Sequence, residues 1–224
     1  MDAAIEDDAR KDGSLQKALI LIAVAAVYAS SWWPTNPLRV AGLRGLGLTN
    51  YERWGILVPH LLFYSTIMAA LSTAFWVPMA KAGWLPYPPL GNVRRSIVPG
   101  VIAGLIAVVA TLATAFAFFP AGTVHWIDPN PWKIAGNIFS NFYEEFVWRG
   151  FLLFGLREIV GFWPAAIISS ASWGFLHTQY PLAGQLLIVG TGIGFSWLVR
   201  STGSLWAPYV AHEVVDVIGD SLVG

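Results

Sequence analysis

Seven apolar stretches, fifteen to twenty-nine residues long, follow one another along the chain with polar connectors between them. Inside a bilayer every backbone N–H and C=O must find its partner within the protein, so runs of this length cross as helices. The stretches read as residues 18–33, 54–80, 97–119, 132–160, 163–178, 182–199 and 204–218. The expected fold is therefore all-α, a polytopic transmembrane helix bundle of about seven spans, six to eight at the limits. Composition agrees: 56% of residues are hydrophobic and 12% charged, against about 45–50% and about 25% in soluble domains. Thirteen Lys and Arg balance thirteen Asp and Glu, so charge gives no reason to expect nucleic acid as a partner. There is no cysteine, which removes disulfides, thiolate metal ligands and a Cys nucleophile together. Twelve tryptophans suit the aromatic belts of membrane interfaces. The expected setting is an integral, multi-pass membrane protein, in the plasma membrane if the host is bacterial. Its partners would be the lipid bilayer and a peptide or protein substrate; the sequence leaves the oligomeric state open.

Three regions follow. Residues 1–16 form a polar tail with five acids among the first twelve. Residues 17–130 hold the N-terminal transmembrane helices, and residues 131–224 the core that carries the chemistry. The acidic start argues against a cleaved signal, so the first apolar run reads as a membrane helix. Loop Lys and Arg favour an inside N-terminus, with Arg39, Arg44 and Arg53 after the first span dissenting. Gly100 and Gly104, and Gly190, Gly192 and Gly194, read as small faces for close helix packing.

Ionisable residues interrupt the last spans. The fourth reads Asn141-Phe-Tyr-Glu144-Glu145-Phe-Val-Trp-Arg149-Gly150, the fifth ends Trp173-Gly-Phe-Leu-His177, and the seventh contains His212-Glu213-Val-Val-Asp216. Each such group costs on the order of 2.5–3.5 kcal/mol at the bilayer centre, so they are expected to face inward, pair, and mark a polar site. At ~1.5 Å per residue, Glu144 and His177 lie roughly 20 Å from one face of the membrane, and His212 and Asp216 roughly 12 and 18 Å. Three helices thus bring carboxylates and imidazoles to similar depths. Glu145 and Arg149 are one turn apart and suited to a salt bridge, while Glu144 points about 100° away and stays free. His212 and Asp216 share a face, as do Trp173 and His177.

This set suits proton transfer to and from water. A carboxylate and a neutral imidazole can hold a water and take its proton, and a second histidine can donate to a developing oxyanion. No Ser sits beside these groups in sequence, although Ser169, Ser170 and Ser172 share the fifth span. A metal is the rival account, because Glu144, His177, His212 and Asp216 are zinc ligands by type. A structural ion-pair cluster and a proton relay also fit the residue types. His60 and His125 match nothing and read as structural or loop residues. Glu158, Glu213 and Asp220 read as solvated or interfacial charges.

Taken in order, Glu144-Glu145-x-x-x-Arg149, then Trp173-x-x-x-His177, then His212-x-x-x-Asp216 resembles the CPBP family. This is the CAAX-protease and bacteriocin-processing group, also called Abi, which includes the type II CAAX prenyl endopeptidase. The resemblance covers about Asn137 to Asp220. It implies an intramembrane glutamate-dependent endopeptidase, often named a metalloprotease, in which Glu144 and His177 activate water. His212 and residue 216 would stabilise the oxyanion, Glu145 and Arg149 would hold the helices together, and Trp173 would support the site. Two positions depart from the pattern: Trp173 stands where Phe is usual, and Asp216 where the prenyl-processing branch has Asn. An ionised Asp cannot donate to an oxyanion; it can orient His212 or bind a divalent metal such as zinc. The metal-free account is preferred, because a Glu–His pair already supplies a base. The alternatives are a proton-coupled transporter, which would show inverted repeats with broken helices in both halves, and a catalytically inactive membrane scaffold or immunity protein.

Overall fold

The computed structural model describes residues 13–25, 69–83, 90–128, 131–219 and 221–222. The rest of the polar tail, the end of the first span, most of the second, His60, the 84–89 loop and Asp220 lie outside the described residues. The helices are α1 (Gly13–Ala25), then α2 (Ala69–Lys81), α3 (Val93–Phe118), α4 (Pro131–Glu145), α5 (Leu153–Val160), α6 (Phe162–Leu176), α7 (Leu182–Thr202) and α8 (Trp206–Gly219). A π-helical segment, Phe146–Leu152, joins α4 to α5.

Helix ends follow local chemistry. Helix α3 starts at Val93, four residues before the apolar run, because the Asn92 side chain accepts the Arg95 N–H at 3.2 Å and caps it. Arg94 and Arg95 therefore belong to the first turn and not to a loop. Helix α7 stops at Gly203, whose φ of +64° only glycine adopts without strain, and its N–H closes on the Val199 carbonyl. That turn lets α8 begin three residues later, folded back against α7.

Helix α3 is 26 residues long; its most apolar 18-residue window has a mean hydropathy of 2.4, yet only 22% of that window is buried. Ile97, Val98, Ile102, Leu105, Ile106 and Val109 point outward. In helix α7, 21 residues long, the corresponding window has a mean hydropathy of 1.6 and is 33% buried. At ~1.5 Å per residue both exceed the ~30 Å hydrocarbon core. A core helix of a soluble protein would be mostly covered; an apolar surface of this extent is matched by lipid. The protein is an all-α membrane bundle, and among the described residues these two helices are long and apolar enough to cross.

One apolar core joins α1, α2, the π segment, α5 and α6 through Ile20, Trp76, Phe151, Leu152, Leu153 and Ala166. Helix α3 packs on α8 through its glycines. A Cβ on Gly104 would stand 2.7 Å from the Ala211 carbonyl oxygen and 2.6 Å from Val214 Cβ, and one on Gly100 2.6 Å from the Ala207 carbonyl. Neither backbone nor a β-branched side chain can yield there. Among the other expected small-face positions only Gly192 is needed, since nothing lies within 4 Å of a Cβ at Gly190 or Gly194. Gly104→Leu is expected to destabilise the protein by about 1–3 kcal/mol, and Gly190→Leu to leave it near wild type. Melting in detergent checks this, and equal melting of the two variants would refute the close contact.

Candidate active site

The site begins where α4 ends. Glu144 and Glu145 are its last two residues, and the π segment that follows carries Arg149. Its i→i+5 bonding is seen in the Leu153 N–H, which donates to the Trp148 carbonyl. The Ser169 hydroxyl of α6 donates to the same carbonyl at 2.6 Å and ties the widened turn to its neighbour. Such turns concentrate at functional sites; nothing in the residue pattern announced this one. Ser169 is thereby committed to the backbone and forms no pair with a histidine.

Arg149 is fully buried and donates from Nη1 to Glu145 Oε1 at 3.0 Å, the expected one-turn pair. Its guanidinium carbon lies 4.0 Å from the centre of the Trp173 ring and 5.5 Å from that of Phe195. Nη2 reaches to 2.8 Å of where a Cβ on Gly192 would be, so that glycine makes room for the cation.

Glu145 does more than neutralise Arg149. Its Oε1 also meets His212 Nδ1 at 2.9 Å. An oxygen that already accepts from Arg149 leaves Nδ1 as the donor, so Nε2 of His212 is the atom available for chemistry. The expected His212–Asp216 pair is looser: Nε2 to Asp216 Oδ1 is 3.8 Å, beyond hydrogen-bond length. The same-face placement is right, but the glutamate across the helix interface holds the ring.

Glu144 turns to α6, where its Oε2 accepts the Trp173 indole N–H at 2.8 Å. His177, one turn on, places Nδ1 2.8 Å from the Trp173 carbonyl oxygen. A carbonyl only accepts, so Nδ1 carries the proton and Nε2 of the neutral ring is a free base. The imidazoles of His177 and His212 both stand edge-on to Trp173, each 5.3 Å between centres. A cavity of about 170 Å³ opens beside them, with Trp173, His177, Phe195, His212 and Asp216 on its wall and Thr111, Thr114, Ile188 and Thr191 among the rest. Glu144 is not on that wall. His177, His212 and Asp216 thus share one cavity, while Glu144 adjoins it at the Trp173 indole N–H.

The four-residue metal set is not assembled. Among the described residues no three His, Asp or Glu side chains are grouped to hold an ion, so as placed they form no zinc site. Both Nδ1 atoms are committed to protein acceptors, which leaves each Nε2 as the open ring nitrogen. Glu213 also differs from expectation: its Oε1 is buried, with no hydrogen-bond partner among the described residues. Arg157 and Glu158 form an exposed pair at 2.9 Å, and His125 is a loop residue bonded to the Gly122 carbonyl, both as expected.

This arrangement, acids and imidazoles gathered against a cavity in an apolar bundle, defines a membrane protein with a polar internal site. Residues 126–218 match the family model for the Type II CAAX prenyl endopeptidase Rce1-like proteins. The chain is also 30% identical over 83 residues, 37% of its length, to a Bacillus subtilis (strain 168) protein named "Putative membrane peptidase YdiL". That match spans 33% of the relative. No solved structure matches. The whole site lies within the segment, residues 126–218, that is similar to the Rce1-like family, and the chain spans about a third of the relative's length.

Proposed function

We propose that the protein is an intramembrane endopeptidase that hydrolyses a peptide bond with water activated by Glu144 and His177. The observation that carries this reading is the shared anchoring of the two groups on Trp173, one on its indole N–H and the other on its carbonyl. Glu144 offers a second carboxylate oxygen and His177 a free Nε2. In the proposed step Glu144 takes one proton from a water ordered with His177. The hydroxide oxygen bonds to the scissile carbonyl carbon, and the carbonyl oxygen becomes an oxyanion. His212, protonated at Nε2 with Nδ1–H held by Glu145, donates to that oxyanion. Collapse of the intermediate re-forms C=O and breaks C–N, and Glu144 returns its proton to the departing amine. Asp216 keeps the Nε2 side of His212 electronegative and donates nothing itself. No step requires a metal.

The test is direct. Protein in lipid nanodiscs, with a chelator present, is given a library of apolar peptides, and new termini are read by mass spectrometry. Cleavage with the gain of one water is expected. Wild-type protein that cleaves nothing while dissipating a proton gradient would favour the transporter instead. Turnover that stops with the chelator and returns with zinc would restore the metal account.

A further inference from the structure

We propose that the indole N–H of Trp173 is a positioning donor: it fixes the Glu144 carboxylate by taking Oε2 and leaving the other oxygen for water. The inference rests on the peptidase reading above. The bond is 2.8 Å to a carboxylate, in the charge-assisted range. The donor itself cannot drift, because the ring is 4% exposed and enclosed by the site's own residues. Arg149 lies over its face at 4.0 Å, and both imidazoles stand at its edges. The carbonyl of the same residue sets the His177 tautomer. One residue therefore fixes the base and its imidazole partner relative to each other. A phenylalanine, the usual residue here in the pattern this site resembles, would fill the space but offer no hydrogen to Glu144.

The experiment must separate the N–H from the ring. Trp173→3-benzothienylalanine, introduced by codon suppression, keeps the bicyclic shape and replaces N–H by sulfur; Trp173→Phe is the simpler companion. Loss of a hydrogen bond to a charged group predicts a fall of roughly 10-fold to 100-fold in kcat, with KM and detergent melting held near wild type. A merely structural ring would leave kcat of the benzothienyl protein intact, which overturns the proposal; Trp173→Phe, which also loses ring contact with Arg149, is read for kcat and not for melting. A second reading needs no turnover. The Trp173 indole N–H resonance, identified as the peak missing in Trp173→Phe, is expected downfield and should move upfield in Glu144→Ala. A resonance blind to Glu144→Ala overturns the clamp whatever the activity. Turnover that survives Glu144→Gln removes Glu144 from the reaction and leaves the resonance to decide the clamp.

Discussion

Glu144→Gln is expected to leave a folded protein whose kcat is lower by 10²–10⁴-fold, the usual contribution of a general base. The substitution keeps the side chain's length and leaves an amide oxygen to accept the Trp173 N–H. What disappears is the capacity to take a proton from water. Burial should not decide the outcome, because Glu144 is only half-buried and its hydrogen-bond partner is retained. Melting is expected to move little. Measuring kcat and melting on one preparation checks both halves. A kcat within tenfold of wild type would remove Glu144 from the reaction.

Glu145→Leu is expected to do the opposite kind of damage, lowering stability by about 3–5 kcal/mol. The carboxylate is 1% exposed and satisfies two buried groups at once, Arg149 Nη1 and His212 Nδ1. Its removal strands a guanidinium that is fully out of solvent. The aromatic faces of Trp173 and Phe195 offset part of that cost, typically 2 kcal/mol or more for a desolvated cation–π contact with Trp, but they supply no hydrogen-bond acceptor. The double variant Glu145→Leu/Arg149→Met should regain much of the loss, since an apolar pair of similar volume carries no stranded charge. Denaturant titration of the three proteins in detergent tests this. A double variant as unstable as Glu145→Leu alone would show that the ion pair is not what Glu145 supports.

Relations within a helix were legible in the sequence, because they depend only on period. The Glu145–Arg149 pair, the divergence of Glu144 from Glu145, and the shared face of Trp173 and His177 all follow from spacing and are all present. The apolar runs likewise located α3 and α7. Relations between helices depend on how each rotates about its axis, and spacing does not encode that. The bond from Glu145 to His212 crosses sixty-seven residues, and that from Trp173 to Glu144 twenty-nine. Asp216 was paired with His212 on period alone, and the cross-helix glutamate took the ring instead. The π segment escaped for another reason: Phe146–Leu152 has the composition of any apolar helix. The role of the Trp173 N–H was not legible, because a hydropathy pattern does not distinguish a ring with an N–H from one without.

Gly192 has a bearing on how this sequence can drift. Its missing side chain is the space that Arg149 Nη2 and Ser170 share, so positions 149, 170 and 192 form one steric allotment spread over three helices. An alanine at 192 is acceptable only after Arg149 has shortened and Ser170 has yielded as well, since both stand under 3.0 Å from its Cβ. The intermediate holding both the longer side chain and the intact arginine is the one selection would remove. Substitutions at these positions should therefore arrive as linked sets, because a line of descent that lost Arg149 alone would still meet Ser170 at 2.9 Å from any Cβ placed at 192.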